Sequence, residues 1–231
     1  MKLGLGIDAG GTYTDAVLVD LKQREVLGQG KALTTKGDYA LGVERALHQL
    51  QLDNPEMINM VAVSTTLATN AIVENKGGRV GLLLLGYDQG VKSLLPAEVQ
   101  NCVLIQGQHS IRGEELVPLD VEHLKKAIRE LAPHVDVFAV SSYLAPRNNN
   151  HELIAREILE QQGIPYVCSY QLTSELNSLE RANTVFYNAR LIPLIVQLIH
   201  SVERVLAKRG ITAPLNIVKS DGCLMGRELA M

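Results

Sequence analysis

The chain has 231 residues, 46% of them hydrophobic, which suffices for one large domain or for one and a half smaller ones. Its formal net charge of -3 leaves no basic footprint for nucleic acid, and with 4% aromatic residues and no Trp it offers no stacking platform for bases or sugars. The three cysteines, Cys102, Cys168 and Cys223, are far apart and odd in number, which suits reduced thiols in the cytoplasm better than a disulfide frame or a zinc site.

From the N-terminus, β-branched and apolar runs predict strands at Leu3–Asp8, Asp15–Val19 and Glu25–Leu33 with no helix between them, an antiparallel meander. A helix at Tyr39–Gln51, a strand at Met60–Ser64 and a helix at Leu67–Asn75 follow. Next come strands at Arg79–Leu85 and Cys102–Gln106, a helix at Val121–Leu131, a strand at Val135–Ser141, a helix at Glu152–Gln162 and a strand at Ile164–Ser169. Runs such as "VGLLLLG" and "DVFAVSS" are apolar throughout, as strands covered on both faces should be. The alternation therefore predicts crossover units, a largely parallel sheet and an α/β fold class.

A long helix is expected over Leu179–Arg209, with Leu191, Leu194, Ile195, Leu198, Val202, Val205 and Leu206 on one face. Pro193 marks a kink in it or the first turn of a second helix. After Gly210, "APLNIVKSDGCLM" starts as another buried strand and reads as the beginning of a further domain. Asp8 arrives too early for a signal peptide, and "RLIPLIVQLI" is shorter than the roughly 20 residues of a membrane span, so neither leader nor membrane is expected.

The chemistry concentrates in "GIDAGGTYTDAVLVD". A dinucleotide-binding loop would need a helix after the glycines, and "DAVLVD" continues as strand; a P-loop would need Gly-Lys-Ser/Thr. A phosphate-binding hairpin fits better. Gly10 and Gly11 let backbone N–H groups approach an anion, Thr12 and Thr14 add hydroxyls, and Asp8 at a strand end can hold the water shell of Mg2+. A ligand-free turn of Asp, Gly and Thr is the plain alternative. Two further segments point the same way. "VSTTLATNAIVE" sets Ser64, Thr65, Thr66 and Asn70 at a strand end, where either threonine could simply cap the helix, and "KSDGCL" ends a strand in Asp221 and Gly222. Together the two acidic loops read as halves of a clamp on a phosphate chain.

These segments, with "STTLATNAIVENKGGRVGLLLLGYD" and "LERANTVFYNARLIPLI", resemble the N-terminal half of the hydantoinase A/5-oxoprolinase family of the actin/sugar-kinase/Hsp70 superfamily, over nearly the whole chain and in the right order. The resemblance implies a ribonuclease-H-like (actin-like ATPase) domain at 1–178, whose antiparallel meander leads into parallel strands. A linking helix at 179–210 and, at 211–231, the first strand and loop of an incomplete second such domain would follow. It implies an ATP-dependent hydrolase that uses ATP and Mg2+ to phosphorylate the carbonyl of a small cyclic amide before ring opening. Relatives carboxylate a ketone. A small-molecule kinase, or a non-catalytic fragment or subunit that binds a partner chain, is the alternative.

By position, Asp8 and Asp221 match the catalytic carboxylates, with Asp8 also the metal ligand. Gly10, Gly11, Thr12, Thr14 and Gly222 match the phosphate loops, and Thr65, Thr66 and Asn70 the substrate segment. Asp15, Arg181 and Asn188 also match, with a surface or strand-cap role, a helix-surface ion pair and a structural hydrogen bond as their plain roles. A second hydantoinase subunit or a homo-oligomer is implied as partner, in the cytoplasm. Tyr13 replaces a usual Phe, Val63-Ser64 a common His-Gly, and Cys223 a second glycine. The adenosine-binding motif is missing, so the chain by itself is expected to be an inactive N-terminal fragment that binds nucleotide weakly or not at all. His109, His123, His134, His151 and His200 lack metal spacing and read as surface residues, the cysteines as buried small hydrophobes, and "PRNNNHE" as a polar loop in which Asn149 or Asn150 caps the next helix.

Overall fold

In the computed structural model, which describes residues 2–35, 37–50, 52 and 54–227, the elements follow the predicted alternation closely. They run β1 (Leu3–Ala9), β2 (Tyr13–Asp20), β3 (Glu25–Leu33), α1 (Tyr39–His48), β4 (Ile58–Thr65), α2 (Leu67–Val73), β5 (Val80–Leu85) and β6 (Asn101–Ile105). There follow β7 (Gln108–His109), β8 (Glu115–Val117), α3 (Val121–Leu131), β9 (Val137–Ser142), α4 (Asn150–Gln161), β10 (Tyr166–Cys168), α5 (Ser169–Leu172), α6 (Ser178–Lys208), β11 (Leu215–Val218) and β12 (Leu224–Gly226). The expected end of the first helix at Gln51 lies outside the described residues.

The chain divides into two units, Met1–Asn75 with Leu194–Met231, and Lys76–Pro193. In the first, a six-stranded sheet has the order β12-β11-β4-β1-β2-β3. β2 pairs antiparallel with both β1 and β3, while β4 pairs parallel with β1 and β11 parallel with β4. The meander thus leads into parallel strands, as read from the sequence. Alternation sends Leu5, Ile7, Val61, Val63, Leu215 and Ile217 to one face, where they pack with Val43 and Leu47 of α1 and with Leu198, Val202 and Val205 of α6.

This pairing redraws the expected domain division. The strand after Gly210 does not open a separate domain: Ile217 registers with Val63 of β4, and β11 completes the sheet begun by β1. A lone strand of four residues carries unpaired backbone groups on both edges, and the open edge of β4 satisfies one of them.

The second unit holds a four-stranded sheet of order β10-β9-β5-β6, parallel throughout. Both faces are covered. Leu83, Phe138 and Val140 pack with Leu124 and Ile128 of α3 and with Ala155 and Leu159 of α4, while Leu82, Leu84 and Ala139 pack with Ala182, Val185 and Phe186 of α6. This explains the unbroken apolar runs. The hairpin β7–β8 stands as a separate two-stranded ribbon.

α6 continues through Pro193 as one helix of 31 residues. In the turn before the proline, where the ladder loses a donor, the Arg190 carbonyl accepts the Gly78 N–H at 2.8 Å. By length and composition α6 could cross a membrane, but its apolar side chains from Ala182 to Phe186 and from Leu198 to Leu206 are those that fill the two cores.

Candidate functional site

Parallel β1, β4 and β11 end on the same side of the first unit's sheet, and the residues singled out in the sequence sit at those ends. Asp8 registers opposite Ser64, and its carboxylate accepts the Ser64 hydroxyl at 2.8 Å. Asp8, Gly6, Ala62 and Ser64 occupy the sheet face opposite the α1 and α6 core. There, with Asp15, Val17, Lys31 and Val218, they line an open groove of about 710 Å³. Lys31 pairs with Asp15 at 3.0 Å, with its ammonium 4.7 Å from the Tyr13 ring centre. Asp15 therefore holds a surface ion pair rather than an open position in the loop.

The turn from β1 to β2 is built tightly. The Gly10 N–H donates to the Tyr13 carbonyl at 3.0 Å, and a Cβ at Gly10 would lie 2.8 Å from that same oxygen. At Gly11 a Cβ would lie 2.6 Å from Asn70 Nδ2, so the Asn70 amide lies directly over the loop. Among the described residues, the Gly11 and Thr12 amides bond to no other group of the chain, and the Thr12 hydroxyl is likewise free and exposed. Two adjacent amides and a hydroxyl without partners, next to glycines that keep side chains out, make a concave donor set suited to an oxyanion.

Not every expected donor belongs to it. Thr14 is buried at 1% exposure on the core side of β2, its hydroxyl 2.9 Å from Thr34 Oγ1. Thr34 gives its one proton to the Gly10 carbonyl at 2.8 Å, so Thr14 must donate to Thr34. Thr14 and Thr34 therefore brace the turn and cannot serve as ligand donors. Thr34 was missed in the sequence, where its only signal is a hydroxyl at the end of the third strand. Thr65 is committed in the same way: its hydroxyl donates to the Ala9 carbonyl at 2.8 Å, tying β4 to β1, and accepts the Leu67 N–H at 3.0 Å just ahead of α2, whose N-cap position Thr66 makes no side-chain capping bond. Thr66 is exposed and accepts from Asn70 Nδ2 at 3.3 Å. Thr66 and Asn70 thus stay beside the loop while Thr65 supports it.

Asp221 follows β11 in the tight turn to β12, where Gly222 adopts a φ of 80°. Its carboxylate pairs with Lys219 at 2.9 Å and accepts the Cys223 N–H at 2.9 Å. These partners, Lys219 first, hold its pKa below the usual carboxylate value. Asp221 lies three residues past the end of β11, at the same sheet end as Asp8, but the groove at Asp8 reaches β11 through Val218 and not through Asp221. Cys223, expected to be buried, is exposed, whereas Cys168 is buried and Cys102 partly so.

Two expected surface features of the second unit are interior. Arg181 is at 0% exposure, and instead of an ion pair it donates to the carbonyls of Glu175 (2.6 Å), Ser142 (2.8 Å) and Tyr143 (2.7 Å). His109 and His151 are likewise buried, while His123, His134 and His200 are exposed as expected, and so is Asn188. In "PRNNNHE" it is Asn148, not Asn149 or Asn150, whose side chain accepts from the start of α4, through the Asn150 N–H at 2.9 Å.

Residues 4–163 match the family described as the hydantoinase/oxoprolinase N-terminal region. The chain belongs to that family. It is 28% identical over 252 residues to the alpha subunit of caprolactamase from Pseudomonas jessenii, an alignment that covers 95% of this chain and 36% of the relative. The structure of the ATP-dependent caprolactamase from the same organism superposes with a TM-score of 0.76 at 25% identity, over 96% of this chain and 36% of that one. A nucleotide-free acetone carboxylase structure superposes equally well, at 0.76 and 23% identity over 99% of this chain and 38% of the other, and so shares its fold. This chain spans about a third of the length of these family relatives.

Proposed function

We propose that the chain is the phosphate-gripping N-terminal part of an ATP-dependent enzyme that activates the carbonyl of a small cyclic amide for ring opening. The observation that carries this reading is the loop Asp8–Thr12: an exposed carboxylate and unpartnered amides at the end of β1, with Asn70 held over its glycines. The sheet order β3-β2-β1-β4-β11 with only β2 reversed supports a ribonuclease-H-like, actin-like ATPase unit, in which such strand ends collect ligands. The similarity to an ATP-dependent caprolactamase supports both the nucleotide and the cyclic amide.

The residues present fit Mg2+ and a phosphate chain. Asp8 is a hard oxygen ligand suited to the water shell of the cation, and Ser64 fixes its carboxylate by one hydrogen bond while leaving the other oxygen open. Bound Mg2+ would neutralise phosphate charge as it builds up in transfer. The Gly11 and Thr12 amides and the Thr12 hydroxyl would hold phosphate oxygens in line. Thr14, Thr34 and Thr65 keep those donors from collapsing on their own carbonyls. An amide carbon is a poor electrophile, and transfer of a phosphoryl group to its oxygen gives water a far better target. Asp221 with Gly222 approaches the same end from β11 and would complete the grip.

A partner subunit belongs to this reading, because the caprolactamase relative is itself a subunit. So does a cytoplasmic setting, where the free thiols of Cys102, Cys168 and Cys223 stay reduced. Product analysis tests the reaction. The full-length protein, supplied with Mg-ATP and a panel of lactams and hydantoins, should release inorganic phosphate and a ring-opened acid in equal amounts. Release of a phosphorylated substrate would overturn the reading in favour of a kinase.

A further inference from the structure

Outside the phosphate loop, the second unit brings together three residues that the proposed reaction does not use. His109 ends β7, Glu115 begins β8, and His151 lies in the first turn of α4. Both histidines are buried, at 5% and 1% exposure, with ring centres 4.0 Å apart and planes inclined by 33°. His151 Nε2 lies 2.8 Å from Glu115 Oε1, and the Glu115 side chain is 48% exposed, so the cluster opens to solvent on that side. One ligand-type atom from each of the three residues lies within 4.8 Å of the other two.

Ring packing and a histidine–carboxylate hydrogen bond would account for His151 and Glu115. They do not account for His109, whose Nε2 is buried without any hydrogen-bond partner. A buried imidazole nitrogen left unpaired is costly, and native interiors rarely keep one. Two imidazoles and one carboxylate, with one imidazole nitrogen unpartnered, form the donor set of a three-ligand transition-metal centre.

We propose that His109, Glu115 and His151 bind a divalent transition-metal ion of the zinc class. Ligand atoms around such an ion stand about 3.3 Å apart for bonds of about 2.0 Å, so the present spacing of at most 4.8 Å would have to close by no more than about 1.5 Å. The nitrogen ligands select against Mg2+ and Ca2+, which prefer oxygen. The ion would staple the short β7–β8 ribbon to α4, and three protein ligands leave a fourth position for water or a small anion on the Glu115 side. This site is separate from the phosphate loop in sequence and chemistry, so it stands or falls independently of the ATP reading.

The test is metal uptake by the full chain after chelator treatment. Zn2+ is followed by calorimetry and by the rise in melting temperature, and Co2+ by its visible absorption. One equivalent should bind, with a rise in melting temperature. Glu115→Gln, at an exposed position, should weaken uptake at least about tenfold while leaving the circular dichroism unchanged, and His109→Ala should weaken it about a hundredfold. Cys223→Ser should leave uptake intact. Absence of uptake, uptake indifferent to Glu115→Gln, or uptake lost with Cys223→Ser overturns the proposal. Should His109→Ala fail to fold, the Glu115→Gln result decides.

Discussion

A hydroxyl has one proton, and that count separates the threonines just after β1, at the start of β2 and at the end of β4. Thr14 spends its proton on Thr34 and Thr65 on Ala9, whereas that of Thr12 is unspent. Thr14→Val should therefore lower stability by about 1 kcal/mol in urea denaturation, and Thr12→Ala should leave stability unchanged while reducing ATP turnover. The sequence places Thr12 and Thr14 in the opening hairpin and Thr65 at the end of another strand, but cannot tell which face of β2 the turn directs inward. Glu152 offers a pH test at the same scale. Buried in the second unit, it accepts from Ser142 N–H, Ser169 Oγ and Tyr170 N–H, yet burial outweighs these donors and pushes its pKa up. The native state thus holds this proton more tightly than the unfolded chain does. The resulting stabilisation is complete below the ordinary glutamate value, about 4.3, and is lost as pH rises through the elevated one. The stability difference between the parent and Glu152→Gln, measured by urea midpoints across that range, should shift against the parent as pH rises. A difference that stays flat would refute the assignment.

At the scale of elements, strand and helix positions were legible because burial imposes a period of two on the first sheet and continuous apolar runs on the second. What escaped reading was short: β7, β8, β12 and α5 span two to four residues, too few to show a period. The pairing of β11 with β4 also escaped, because strand order is a long-range property that local pattern does not encode. Arg181 is a further case. On a helix surface an arginine is unremarkable, and the carbonyls that bury this one come from the end of β9 and from Glu175 just ahead of α6. Its guanidinium fork serves three acceptors at once, so Arg181→Met should destabilise the second unit by about 3–5 kcal/mol, and Arg181→Lys should recover little of that. Urea denaturation of both variants measures this, and full stability in Arg181→Lys would show that charge alone suffices.

For the whole molecule, the family assignment agrees with what the motifs "GIDAGGTYTDAVLVD" and "VSTTLATNAIVE" implied, since both lie within the matched residues 4–163, and the mixed α/β fold class is as expected. The clamp was less legible. Asp8 and Asp221 share a sheet end, but each carboxylate is held by its own neighbours, Ser64 for one and Lys219 with Cys223 for the other. The Asp8 loop therefore bears the functional account. Phosphate release from Mg-ATP by the full-length protein, in the presence of a panel of cyclic amides, tests that account most directly. Asp8→Asn keeps the size of the side chain and an acceptor for Ser64 but removes the charge, and should lower turnover by about 10²–10³-fold with an unchanged melting temperature. Turnover at the parent rate with asparagine at position 8 would contradict it.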